Sequence, residues 1–99
     1  MATLYIAEFG TLPQMSGGVP MIAPRPALTT QTVAIGGTST QSAAFSAQTR
    51  YIRLHCDAIC STSVGSNPTA TAANERMSAD STEYFAVQPG DKIAVITNT

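Results

Sequence analysis

Residues 49–65 read TRYIRLHCDAICSTSVG, and this stretch decides the fold because apolar and polar side chains alternate along it with a period of two. Successive side chains of a β-strand point to opposite faces of a sheet, so we predict half-buried strands at 49–56 and 58–64. Aspartate favours turns, which places a turn or bulge at Asp57-Ala58. Such a turn could exchange the two faces in the second strand. The predicted inner face carries Ile52, Leu54, Cys56, Ala58, Cys60 and Val64, and the outer face carries Tyr51, Arg53, His55, Asp57, Ser61 and Ser63.

The rest of the chain contains short β patterns separated by glycine, proline, asparagine and aspartate. Gly36-Gly37 is a hairpin signal, and Pro89-Gly90 is typical of a type II turn because proline fixes φ and glycine accepts a positive φ. No stretch has a convincing helical pattern. About eight short strands predict an all-β sandwich or small barrel, and we favour an antiparallel, jelly-roll-like β-sandwich. The further predicted strands cover residues 2–9, 28–35, 38–45, 75–79, 82–87 and 92–97.

A chain of 99 residues is expected to form a single β domain over its whole length, 1–99. The apolar positions of the predicted strands supply the core of that domain. The predicted core residues are Ile52, Leu54, Cys56, Cys60, Phe85, Ile93 and Val95.

Residues 10–27 form a Pro/Gly-rich arm or loop that contains four prolines and three glycines. Proline removes ladder donors and favours polyproline or edge geometry, so at most a short extended piece is predicted, at 19–23. The apolar side chains of the arm need cover, either from a sheet face of the same chain or from a neighbouring molecule. We favour the neighbour. The candidate assembly contacts are Met15, Val19, Met21, Ile22 and Arg25.

Charged side chains make up 11% of the residues, against roughly 25% in an average soluble domain. A surface so poor in charge is one that neighbouring molecules can cover. The net charge of −1 and the scattered arginines provide no basic patch, so we expect no nucleic-acid partner. No apolar run is long enough for a spanning helix, and the N-terminus has no signal-peptide pattern, so we expect neither a membrane partner nor secretion.

The sequence contains no recognisable catalytic, cofactor-binding or metal-binding constellation. His55 and Asp57 share a face and could pair, but no nucleophile-elbow serine completes a triad. Cys56 and Cys60 would lie roughly 13 Å apart in an extended chain, so we predict two free, buried thiols unless a sharp turn brings them together. Free thiols indicate a reducing compartment during folding, and zinc would need more ligands than His55 adds. No enzymatic activity is expected from the carboxylates Glu8, Asp57, Glu75, Asp80, Glu83 and Asp91, which form no glycosidase-like pair.

Carbohydrate binding on a β face is an alternative that the tyrosines leave open. Tyr5, Tyr51 and Tyr84 are available for stacking on a sugar, whereas tryptophan is absent. Tyrosines can equally cap a core and keep the hydroxyl at its rim.

From residue 49 onward the chain resembles a group of small structural proteins of tailed-phage virions. The resemblance rests on the Gly-x-Asn-Pro-Thr-Ala pattern at 65–70 and on the Pro-Gly-Asp turn at 89–91, each set between strands. It covers about two thirds of the chain and does not include the proline-rich arm. The residues that carry the resemblance lie at 33–37, 42–45, 49–54, 57–60, 65–71, 83–85 and 89–96.

This resemblance implies a non-enzymatic virion protein that is assembled in the host cytoplasm and needs no cofactor. The most concrete role that it implies is a capsid decoration or cement protein, a homo-oligomer that bridges subunits of the major capsid protein or other virion proteins. A low-charge β surface and a proline-rich arm suit such a role, because proline has little conformational freedom to lose on binding. A receptor-binding or fibre-associated module is the alternative, and a head–tail connector or tail component is another.

Overall fold

The computed structural model describes residues 2–10 and 27–98. These residues form eight β-strands and no helix, arranged as two antiparallel sheets of four strands each. The predicted all-β sandwich is therefore confirmed. The strands are β1 (Ala2–Phe9), β2 (Thr29–Ile35), β3 (Thr40–Gln41), β4 (Tyr51–Cys56), β5 (Cys60–Gly65), β6 (Glu75–Met77), β7 (Thr82–Ala86) and β8 (Lys92–Thr97).

The first sheet has the strand order β2-β1-β4-β7, and the second sheet has the order β3-β8-β5-β6. The pairs β5–β6, β4–β7 and β3–β8 are nested around one another along the chain, which is the winding of a jelly roll. In a regular jelly roll the next pair outward would join β2 to a strand that follows β8. Here β2 pairs with the N-terminal strand β1 instead, so β1 occupies that position in the sheet.

The deciding stretch supplies one interior strand to each sheet. β4 lies between β1 and β7 in the first sheet, and β5 lies between β8 and β6 in the second. The Asp57-Ala58 turn therefore carries the chain from one sheet to the other. The Asp57 side chain anchors this turn, because its Oδ1 accepts the backbone N–H of Thr3 at 2.6 Å.

The core fills the space between the sheets and contains the inward side chains of both. All predicted core residues are fully buried except Phe85, which is partly buried and packs against the core. Ala2 likewise packs against it while remaining partly exposed. The buried members of the cluster are Leu4, Ile6, Val33, Ile35, Phe45, Ile52, Leu54, Cys56, Cys60, Met77, Val87, Ile93 and Val95.

The prediction of a hairpin at Gly36-Gly37 is wrong, because β2 and β3 belong to different sheets and do not pair. Of the strand predicted at 38–45, only the two residues of β3 are in strand conformation. Beyond β3 the backbone still bonds to the β8 region, with the Ser42 N–H donating to the Ile93 carbonyl at 2.8 Å. This bond continues the contact with β8, but the regular β3–β8 pairing ends at Gln41.

The turn at Pro89-Gly90 is confirmed. Gly90 has a φ of 84°, and the Asp91 N–H donates to the Gln88 carbonyl at 3.2 Å, which closes the turn. It connects β7 to β8 and so carries the chain between the two sheets.

Val64, which was predicted on the inner face, is not buried, since 43% of its surface is exposed. It is the last residue but one of β5, opposite Ile93 in the register. Alternation predicts the side of the sheet that a residue faces, but not whether other chain segments cover that position.

Candidate functional site

The outward surface of the first sheet, here called the open face, is the candidate functional site. The strand register places Tyr5 between Thr32 and His55, and it places Ala7 between Thr30 and Arg53. On β7 the row continues with Thr82 beside His55 and Tyr84 beside Arg53. Tyr5 and Tyr84 are the exposed aromatic residues of this face, at 46% and 55% of their surfaces.

Tyr5 is held beside a polar pair that includes the single histidine. The centres of the Tyr5 and His55 rings are 6.3 Å apart, with a tilt of 46° between the planes. His55 Nδ1 is hydrogen-bonded to Thr82 Oγ1 at 2.8 Å. These contacts fix the imidazole between Tyr5 and β7.

A concavity of about 450 Å³ opens on the β1–β2 side of this face. Ala7 has a small side chain, so the space above it remains free between larger neighbours. Tyr5 and Arg53 border that space, and the threonines of β2 supply hydroxyl groups. Its lining consists of Tyr5, Ile6, Ala7, Thr30, Gln31, Thr32 and Arg53.

Tyr51 is not an exposed aromatic residue, contrary to the sequence-based expectation that all three tyrosines are available. Its side chain points outward from β4 but is buried, and its ring stacks on Phe9 with centres 5.0 Å apart. Burial raises the pKa of the Tyr51 hydroxyl, and the neighbouring Tyr84 raises it further. Within the described part of the chain this hydroxyl has no hydrogen-bond partner.

The outward surface of the second sheet is covered by the segment 66–74, which follows β5. The Pro68 carbonyl accepts the Gln41 side-chain amide at 2.7 Å, and the Ala70 N–H donates to Ser39 Oγ at 2.8 Å. Ser61 and Ala94 point outward from this sheet and are nevertheless fully buried. The Gly-x-Asn-Pro-Thr-Ala pattern thus covers one face of the sandwich, whereas among residues 2–10 and 27–98 the other face leaves Tyr5 and Tyr84 exposed.

His55 and Asp57 are not brought together as a pair. His55 is bonded to Thr82, and Asp57 accepts a backbone N–H from β1. Residues 2–10 and 27–98 hold no group of three or more histidine, cysteine, aspartate or glutamate side chains that could bind a metal ion. The same ranges contain no helix that is long and apolar enough to cross a membrane.

The two cysteines are free and buried, as predicted. The turn at Asp57 brings the two thiols near each other where the chain crosses between the sheets, so that Cys56 influences the ionisation of Cys60. Cys56 Sγ donates to the Ser78 carbonyl at 3.0 Å. Burial, together with the neighbouring Cys56, raises the pKa of Cys60 from 9.0 to about 12.

We expect the native chain to resist alkylation by iodoacetamide at pH 8, because the thiolate is the reactive form and Cys60 keeps its proton. Mass spectrometry should find both thiols modified in denaturant and neither in the native state. Rapid native labelling of Cys60 would contradict its buried, protonated state.

The same raised pKa makes stability depend on pH. The folded state holds the Cys60 proton above pH 9, where the unfolded chain loses it, so the stabilisation is complete below pH 9 and declines as pH rises toward 12. The decline is at most about 1.4 kcal/mol per pH unit for one group. Urea unfolding at pH 8 and pH 10 measures it, and Cys60→Ala should show a smaller difference between the two.

Glu8 is a buried polar centre that the sequence-based reading did not identify as important. It follows Leu4 and Ile6 on the inward side of β1 and is 2% exposed. Its Oε1 accepts the Ser46 N–H at 3.0 Å and the Thr49 hydroxyl at 2.7 Å, and its Oε2 accepts the Gln31 side-chain amide at 3.1 Å. An acidic residue at an inward position of an alternating strand was the signal available in the sequence.

The candidate assembly contacts all lie outside the described residues. They are Met15, Val19, Met21, Ile22 and Arg25. The structure does describe where their segment begins and ends. The Leu28 N–H donates to the Glu8 carbonyl at 2.8 Å, and Glu8 is the register partner of Thr29. Residues 11–26 therefore connect two adjacent strand ends.

The chain matches no protein-family model, no curated protein and no solved structure with which it was compared. Its class is defined by the fold of the described residues, an all-β sandwich of two four-stranded antiparallel sheets with jelly-roll winding.

Proposed function

We propose that this chain is a non-enzymatic structural protein of a phage virion, and specifically a capsid decoration or cement protein that binds major capsid subunits as a homo-oligomer. The observation that carries the proposal is the long connection between β1 and β2. Adjacent antiparallel strands need only about 2–5 residues to join them, whereas this connection runs from 10 to 28. Connections longer than about 12–15 residues are uncommon in compact domains, and many of them carry function.

Two further features support assembly with neighbours. The low content of charged residues suits a surface that other subunits cover. The open face adds exposed side chains on a rigid sheet, where a partner can bind without a large loss of conformational freedom.

The connection between β1 and β2 can be removed with little expected effect on the sandwich. Replacing residues 11–26 with a short glycine-serine turn joins strand ends that already face each other in the register. We expect the variant to fold with an unchanged circular dichroism spectrum and to lose binding to particles that lack the protein. Co-sedimentation with those particles measures the binding.

A second variant keeps the full length of the connection and removes only its apolar side chains. It carries serine at Met15, Val19, Met21 and Ile22. It should also lose particle binding. If both variants bind particles as the parent does, the connection is not the capsid-binding element.

The position in the particle decides between decoration and the other virion roles. Cryo-EM of virions from the source of this chain gives its copy number. Hundreds of copies over the shell would support decoration, whereas about a dozen at one vertex would support a connector or fibre role. Density for the chain at neither position would contradict a virion role.

A receptor-binding or fibre-associated module is the second candidate. It is favoured by the joint exposure of Tyr5 and Tyr84 on the open face, since aromatic rings on a sheet offer stacking surfaces to a glycan. Robust binding to a glycan array by the purified chain would support this candidate.

A further inference from the structure

We propose that the concavity between Tyr5 and Arg53 binds an acidic saccharide, namely a sugar unit that carries a carboxylate. This inference names the ligand class of the second candidate function and does not depend on capsid binding. The volume of about 450 Å³ falls within the roughly 300–1,000 Å³ that is usual for small-molecule sites.

Arg53 supplies the group that selects a carboxylate. The planar guanidinium presents paired N–H donors that match the two oxygens of a carboxylate. In the described part of the chain the Arg53 guanidinium makes no hydrogen bond or ion pair, whereas that of Arg50 donates to the Ala47 and Thr49 carbonyls. Within the described residues, Arg53 is thus free to contact a ligand in the concavity that it borders.

The remaining lining suits the sugar ring. Tyr5 offers a half-exposed aromatic face against which the C–H groups of a pyranose can pack. Thr30 and Thr32 are exposed on β2, and each hydroxyl can both donate to and accept from a sugar hydroxyl. Because the Ala7 side chain at the base of the concavity is small, a sugar ring can approach the sheet between these groups.

The charge pattern favours a single acidic sugar over a polyanion. The lining contains one cationic residue, and the chain has a net charge of −1. A nucleic acid would require a stripe of cations along its phosphates. One guanidinium, one aromatic ring and two hydroxyls correspond in number and chemistry to one carboxylated sugar unit.

The test titrates the full chain with methyl glucuronide and methyl glucoside, which differ only in whether C6 is a carboxylate or a hydroxymethyl group. We expect nitrogen–proton correlation NMR to show shifts at Tyr5, Ala7, Thr30, Thr32 and Arg53. The glucuronide should bind at least about tenfold more tightly than the glucoside, because its carboxylate can form a charge-assisted hydrogen bond with Arg53. Equal binding of the two sugars, shifts confined to other residues, or no binding at about 50 mM, where a millimolar site saturates, would overturn the proposal.

Three variants assign the binding to these groups. Arg53→Gln should abolish the preference for the glucuronide, and Tyr5→Ala should weaken both sugars severalfold. Arg76→Gln removes an exposed arginine of the second sheet and should change neither. Unaltered binding by Arg53→Gln would overturn the proposal, as would displacement of the glucuronide by an equal concentration of inorganic phosphate. Because these titrations use no particles, their failure would leave the capsid-binding result unchanged.

Discussion

Replacing Glu8 with alanine is expected to lower the free energy of unfolding by about 2–4 kcal/mol, because the change leaves buried hydrogen-bond donors without an acceptor. The carboxyl group of Glu8 accepts hydrogen bonds from Ser46, Thr49 and Gln31. Glu8 is 2% exposed, and its side chain links β1 to the segment that precedes β4. An unsatisfied buried donor costs about 1–3 kcal/mol. The Thr49 hydroxyl can still bond to Ser46 Oγ, which is 2.7 Å away, so the losses do not simply add.

Glu8→Gln separates the shape of the side chain from its hydrogen-bonding pattern. The glutamine amide would place a donor near the Gln31 amide, and Gln31 cannot rotate without losing its bond from the Ala43 N–H at 2.9 Å. We expect this variant to fall between the parent and Glu8→Ala. Glu75→Ala, at an exposed position of β6, is the control and should change stability by less than about 0.5 kcal/mol.

Urea unfolding at pH 7 measures these differences, and amide hydrogen exchange locates them. Protection of the Ser46 amide should decrease in Glu8→Ala more than protection of the β8 amides. If Glu8→Ala and Glu75→Ala unfold at the same urea concentration, the buried network does not stabilise the fold.

Replacing Leu54 with alanine is expected to cost about 2–5 kcal/mol. Leu54 is fully buried on β4, paired with Ile6 on one side and Glu83 on the other, and it belongs to the core between the sheets. Truncation removes apolar contacts and leaves a cavity that close-packed neighbours fill only in part. The midpoint of urea unfolding should fall while the slope stays constant.

Val64→Ala is the matched control for the Leu54 variant. Alternation along 58–64 predicts Val64 inside, but the structure places it at an exposed position of β5. We expect this substitution to cost less than about 1 kcal/mol, from β-propensity and partial burial. A cost for Val64→Ala equal to that for Leu54→Ala would show that Val64 is buried and would contradict its exposed position at the end of β5.

Part of the candidate site was accessible from the sequence. Alternation along β4 predicted that Arg53 and His55 point away from the core, and the structure confirms it. Phe85 was likewise predicted in the core, and it packs against the core while its strand neighbour Tyr84 is exposed. Alternation is a local property of the extended backbone, so no knowledge of distant residues was needed.

Other parts of the site depend on contacts between residues far apart in the chain. Thr32 lies beside Tyr5 only because β2 returns to pair with β1 in one particular register. Tyr51 has the sequence pattern of an exposed tyrosine, and stacking on Phe9 buries it. Neither arrangement leaves a mark in the local pattern of hydrophobic and polar residues.

The amino-acid sequence by itself determined that this chain is an all-β sandwich, because strand periodicity and turn residues act over a few neighbouring positions. It also predicted part of the core, namely six of the thirteen buried residues of the cluster, including the two cysteines beside the turn between the sheets. Only the tertiary structure decided that β4 and β5 lie in different sheets, that segment 66–74 covers one face, and that Glu8 joins three distant partners. Those features follow from sheet order and register, which are fixed by the simultaneous packing of the whole core and not by any single stretch.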